Sequence, residues 1–197
     1  MPQHTEFALL DTTTLDENTT FAHPERLPEL VHMDSPAWHV FTDFKLKEPA
    51  KTSNDVLVQK ALEEMKHLNV KSLLVTDDHE HILGLISTRD IQGVKAGIAA
   101  RDNGVKLTEV TVKMVMTPFE QLHVLDYKDL SNARVGHIVR LIHEKGLQHL
   151  LVVEPNREGL QIVRGIFSAS RISRQLGTDV SGDLSSHSVA DINKRIQ

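Results

Sequence analysis

The tetrapeptide Ser87-Thr88-Arg89-Asp90 closes the apolar run Gly84-Leu85-Ile86 and opens a stretch compatible with a helix. A strand-to-helix junction leaves backbone N–H groups unpaired at the positive end of the helix dipole, a setting that suits a phosphate. A carboxylate at Asp90 can accept two hydrogen bonds from adjacent hydroxyls, which is what a ribose cis-diol offers. Charge-assisted bonds of this kind contribute roughly 1.5–3 kcal/mol. The same four residues also fit a capping box, with Asp standing in for the usual Glu or Gln. Taken alone, Ser-x-x-Asp is compatible with either role.

The motif has an echo. Gly165-Ile166-Phe167-Ser168-Ala169-Ser170-Arg171-Ile172 keeps the glycine, the apolar pair, the serine and the isoleucine of Gly84–Ile91, but places Arg171 where the first copy has Asp90. A guanidinium has no acceptor for ribose hydroxyls, and a cation at a helix N-terminus is mildly unfavourable. Two readings follow. The second site is vestigial, with Arg171 pointing to solvent or pairing with an acidic neighbour such as Asp43, or Arg171 reaches phosphates at the neighbouring site, which a guanidinium fork suits.

The echo is one part of a longer tandem repeat. Val70–Val75 aligns with Leu147–Val152 at an offset of 77, Gly84 with Gly165 at 81, and Val40–Phe44 with Val115–Phe119 at 75. The extra residues of the second copy fall in the turn-rich stretch Glu154–Gly159, where insertion is cheap. Each copy predicts a short extended piece at Thr42 or Thr117, then a helix. The first helix carries Leu57, Ala61, Leu62, Met65 and Leu68 on one face, with Ser53 or Asn54 as cap; the second carries Val135, Ile138, Val139 and Ile142, with Ser131 as cap. Two apolar strands follow, Lys71–Thr76 with Ile82–Ser87 and Gln148–Glu154 with Leu160–Ser168, each pair joined by a polar turn. Closing helices are predicted over Arg89–Ala100 and Ala169–Leu176. One unit of this size would be marginal alone, since small domains bury too little of their surface, and two copies packed sheet against sheet would share a core. The expected divisions are a partly mobile extension over 1–35, repeats over 36–103 and 104–177, and a C-terminal segment over 178–197 with an amphipathic helix at Ser188–Ile196.

Composition removes other classes. The chain of 197 residues is 40% hydrophobic and 25% charged, with a net charge of −5, which argues against a nucleic-acid footprint. No apolar run approaches the length of a membrane span, and Met1–Thr20 lacks the basic and apolar regions of a signal peptide. With no cysteine there are no disulfides, thiolate metal sites or cysteine nucleophiles, and a cytoplasmic protein is the expectation. The twelve histidines are scattered apart from His79-Glu80-His81, with no recognised ligand spacing, so no metal site is expected. Nucleophile-elbow and P-loop motifs are missing too, which argues against an enzyme.

A tandem β-α-β-β-α unit, with Thr42-Asp43-Phe44 in a first strand and Gly84–Asp90 ending a third, resembles the CBS domain, two of which form a CBS pair or Bateman module. The resemblance covers about residues 36–176 and is similar to short bacterial stand-alone CBS-domain proteins. It implies an α/β fold of the α+β kind, with two domains packed as a pseudo-two-fold pair. It also implies a non-catalytic regulatory module that senses an adenine nucleotide (AMP, ADP or ATP) or S-adenosylmethionine between the repeats. By position, the hydroxyl of Ser87 would face phosphate and Asp90 the ribose diol, with Thr88 beside them and Met116, Thr117 and Pro118 supplied by the other repeat. The pseudo-symmetric site would use Ser168 and Arg171 with Thr42, Asp43 and Phe44. Lys71 and His149, at the start of the second strands, either face the phosphates between the sites or are ordinary strand-edge polar residues. The resemblance further implies a homodimer and a protein partner that reads the ligand state. A ligand-independent dimerisation or adaptor module is the competing expectation.

Overall fold

Alternating apolar and polar residues make strands, and here Leu73–Val75, Gly84–Ile86 and Leu150–Val153 are buried on both faces because each sheet is covered twice. The computed structural model describes residues 12–14, 16–20 and 28–180. The first repeat runs β1 (Thr42–Asp43), β2 (Lys51–Ser53), α1 (Val58–His67), β3 (Ser72–Thr76), β4 (Ile82–Ser87), α2 (Thr88–Gln92) and α3 (Val94–Asn103). A short α4 (Val112–Val115) leads into β5 (Thr117–Pro118), β6 (Val124–Asp126), α5 (Val135–Glu144), β7 (His149–Pro155), β8 (Gln161–Ser168) and α6 (Ala169–Leu176).

Each repeat keeps three strands in its own sheet and lends its first strand to the other. The two sheets have the orders β2-β3-β4-β5 and β1-β8-β7-β6. β5 crosses to pair antiparallel with β4, Thr117 opposite Leu85 and Pro118 opposite Gly84. β1 crosses the other way, Thr42 opposite Ile166 and Asp43 opposite Gly165. The chain leading into each crossing strand packs with its host: Val110, Val112 and Val115 join the core of α1, β3 and β4, while Val31, Ala37, Val40 and Phe41 join that of α5, β7 and β8. Side chains alternate across a strand. In β3, Leu73 and Val75 enter the helix-covered core, whereas Leu74 meets Leu85 and Leu151 in a third cluster between the sheets.

The crossing explains why both copies keep a glycine. A Cβ on Gly84 would collide with the carbonyl oxygen of Thr117 and lie 3.0 Å from Met116 Sδ; one on Gly165 would collide with the carbonyl oxygen of Thr42 and the ring of Phe41. Only glycine lets the borrowed strand pass at this distance.

Several local expectations are corrected. Each repeat has one more strand than the predicted β-α-β-β-α string, since β2 and β6 pair parallel with β3 and β7. Ser53 therefore lies in a strand, bonding Asp55, and neither it nor Asn54 caps α1, which begins after Leu57. Ser131 bonds the Lys128 carbonyl within a 3-10 turn, and α5 begins after Arg134. In both places the hydrogen-bonding residue serves a tighter local turn before the helix starts. Leu68 follows α1 and is 44% exposed rather than part of its buried stripe. The helix predicted over Arg89–Ala100 breaks into α2 and α3 at Gly93, whose extended backbone serves as the C-cap of one and the N-cap of the next. Part of the N-terminal extension is docked, with Val31 buried and its N–H bonded to Gln175 O at 2.9 Å. The predicted helix at Ser188–Ile196 lies outside the described residues.

Candidate functional site at the strand-to-helix junctions

At the end of β4, Ser87 and Asp90 form a complete capping box. Ser87 N–H donates to Asp90 Oδ2 at 2.9 Å, Ser87 Oγ–H to the same oxygen at 2.6 Å, and Asp90 N–H returns to Ser87 Oγ at 3.2 Å. The cap therefore exists, and it fixes the carboxylate through Oδ2. Oδ1 accepts from Lys95 Nζ at 3.0 Å, and the same ammonium lies 3.5 Å from Thr117 Oγ1 on the crossing strand. Ser87 is buried, while Asp90, Thr88, Met116, Thr117 and Pro118 are all intermediate.

His149 reaches the same neighbourhood from the second repeat. It stands at the start of β7 opposite Ser168 and is partly exposed. Burial of its ring pushes the imidazole down to about 4, with the Asp90 carboxylate pulling the other way. An imidazole this far below its ordinary value is neutral at pH 7. Lys71 has an exposed side chain, and its carbonyl accepts from Thr88 N–H at 2.9 Å. The structure thus gathers Ser87, Asp90 and, through Lys95, Thr117, with Lys71 joining through its backbone and His149 under the influence of the Asp90 charge.

The second junction is built differently. No side chain caps α6; Ser168 Oγ lies 3.0 Å from Ser170 Oγ. Arg171 is partly buried, its Nη1–H donating to Thr42 Oγ1 at 2.9 Å and its Nε–H to Gln175 Oε1 at 3.3 Å. Burial, and then the nearby charge of Arg174, push its pKa down. Arg171 accordingly neither points freely to solvent nor pairs with Asp43. Asp43 is held by Arg164, whose Nε and Nη2 donate to its two oxygens at 2.7 and 2.6 Å. The third guanidinium nitrogen donates to Glu154 at 3.0 Å, Lys45 pairs with Glu154 at 2.6 Å, and the Arg164 guanidinium lies 4.2 Å from the Tyr127 ring centroid. This fork holds the Asp43 carboxyl below the usual carboxylate range and raises Arg164. Phe44 packs among the apolar residues between the sheets.

Lys95 and Arg164 were not anticipated. Arg164 left a readable signal, a cation inside the otherwise apolar strand Gln161–Ser168, because an arginine in such a place must be paired. Lys95 left none, since a continuous helix from Arg89 would not bring it beside Asp90.

The comparisons agree with this architecture. Residues 42–97 match the model of the CBS domain. None of the curated proteins matches the chain. An uncharacterized conserved protein from Pyrococcus horikoshii superposes with a TM-score of 0.52 at 24% identity, over 72% of this chain and 92% of that one. A CBS-domain-containing protein from Agrobacterium tumefaciens gives 0.51 at 16% identity, over 73% and 94%. The first repeat thus matches the CBS domain in sequence, and the chain as a whole shares its tandem fold with these solved structures.

Proposed function

We propose that the chain is a non-catalytic regulatory module whose first junction binds an adenine nucleotide or a related adenosyl ligand. The observation that carries this is the Asp90 carboxylate, fixed through Oδ2 by Ser87 and facing the crossing strand with Oδ1. In this reading Oδ1 is the acceptor for the ribose diol, Met116–Pro118 flank the base, and the Ser87 hydroxyl meets phosphate by turning its proton from Asp90 Oδ2. His149, neutral at pH 7 and under the influence of the Asp90 charge, can donate or accept one hydrogen bond. The second junction lacks the acceptor, because Arg171 occupies the position and its guanidinium is already bonded to Thr42. Binding is therefore unequal, with one ligand per chain.

A cytoplasmic homodimer whose ligand state is read by a protein partner fits this role; among the described residues no helix is long and apolar enough to cross a membrane. Calorimetry and thermal shift on protein stripped of nucleotide, with AMP, ADP, ATP and S-adenosylmethionine, test the reading. A response to at least one ligand, weakened about tenfold or more by Asp90→Asn, is expected. No response to any of them overturns it. One observation favours the alternative, a ligand-independent adaptor: both oxygens of Asp90 already have partners within the chain. Partner binding unchanged by Asp90→Asn would support that alternative.

A further inference from the structure

Among the described residues Lys95 is the one cation paired with Asp90. It sits in the first turn of α3, where a positive charge is mildly unfavourable against the helix dipole. Its side chain is 44% exposed while that of Asp90 is 19% exposed, so the ammonium covers the outer side of a carboxylate that the capping box already anchors. It also lies beside Thr117 on the strand borrowed from the second repeat, and so spans the two elements that frame the junction.

We infer that Lys95 is a specificity-determining residue that makes this junction select phosphorylated nucleosides over nucleosides; this rests on the adenosyl-ligand reading above. The chemistry is an exchange of partners. Asp90 Oδ2 already accepts two hydrogen bonds from Ser87 and Oδ1 one from Lys95, so both hydroxyls of a ribose diol find acceptors only if the ammonium leaves. A neutral hydroxyl is a weaker donor to a carboxylate than a cation. A neutral nucleoside leaves Lys95 without an anion, so the exchange runs uphill. A nucleoside phosphate supplies one. The flexible four-carbon stem lets the ammonium turn from Oδ1 to the phosphate while the diol takes its place. Lys95 thus shields Asp90 in the absence of ligand and reads the phosphate when one arrives.

The test is calorimetric titration of the full chain with adenosine and with adenosine 5′-monophosphate, for the natural protein, Lys95→Met and Lys95→Arg, each checked for an unchanged thermal midpoint. The natural protein should bind the monophosphate at least about tenfold more tightly than adenosine. Lys95→Met should bring the two affinities to within about threefold, by weakening the monophosphate and leaving adenosine equal or tighter, while Lys95→Arg keeps the preference. A ratio in Lys95→Met equal to that of the natural protein, or no preference in the natural protein, overturns the role of Lys95 alone. Failure of the natural protein to bind either compound overturns it together with the adenosyl reading.

Discussion

The two strand-to-helix junctions share a backbone plan and differ in what their charges face. At Ser87–Asp90 the acid is folded into a helix cap, and its spare oxygen meets a half-exposed lysine that can be moved. At Ser168–Arg171 the cation bonds across to Thr42, and a separate ion cluster of Arg164, Asp43, Glu154 and Lys45 fastens the borrowed strand β1 to β7 and β8. Strands β1 and β5 are each joined to their host through two residue pairs, but in β5 one of them is at Pro118, which has no N–H to donate. One junction is pinned and the other can adapt. Repeats preserve what backbone packing demands, the glycine under each crossing strand, and diverge where a charge can find a different local partner.

The comparison can be broken most directly at its common element. Gly165→Ala should cost about 3 kcal/mol in urea denaturation, because the new Cβ meets backbone and an aromatic ring, and Gly84→Ala somewhat less, because its Cβ meets the Thr117 carbonyl but no ring and the Met116 side chain can yield. Equal stability of both variants with the natural protein would refute the close crossing. Next in size is Arg164→Met, expected to lose about 2–3 kcal/mol at pH 7 by leaving Asp43 and Glu154 without their shared cation. Asp43 and Glu154 both have lowered pKa values, from Arg164 first in the one and Lys45 first in the other. Their contribution is present above the ordinary carboxylate pKa and is lost below it, so the curves for the natural protein and Arg164→Met should converge as pH falls below about 4.

A different window belongs to His149. Its folded value of about 4 lies below the ordinary 6.5, so the unfolded chain binds the extra proton first and stability falls as pH drops from about 6.5 toward 4. Between pH 7 and 5 the loss should be about 2 kcal/mol, and His149→Leu should remove that part of the pH dependence. The smallest effect expected is at the cap. Ser87→Ala should cost about 1 kcal/mol, whereas Ser168→Ala should be nearly silent, because Ser168 caps nothing. Arg171→Asp sharpens the comparison in function: it rebuilds the Ser-x-x-Asp pattern in the second copy, and the calorimetric stoichiometry should rise from one ligand per chain toward two.

Much of this was legible beforehand. The helix Ala169–Leu176 and the strand Ile82–Ser87 match their predicted bounds, because each is an apolar pattern ended by a strong local signal. The buried stripe Val135, Ile138, Val139 and Ile142 is also as the spacing predicts. The strands β2 and β6 were not legible: three residues carry no usable periodicity, and their pairing partners lie 23 and 27 residues on. The cap expectations at Ser53, Asn54 and Ser131 failed for a related reason. A serine near a helix can serve any of several turns, and only the neighbouring strand or 3-10 turn selects which.

The amino-acid sequence by itself determined the repeat, its apolar faces, the glycine in each copy and the asymmetry of Asp90 against Arg171, because these are properties of composition and spacing. Only the tertiary structure decided that the first strand of each repeat belongs to the other sheet, that Asp43 answers to Arg164 rather than Arg171, and that Lys95 stands over Asp90. The physical reason is common to all three. A strand edge, a carboxylate and an ammonium each accept many partners, and which one they meet is fixed by where the packed sheets and helices bring the chain together.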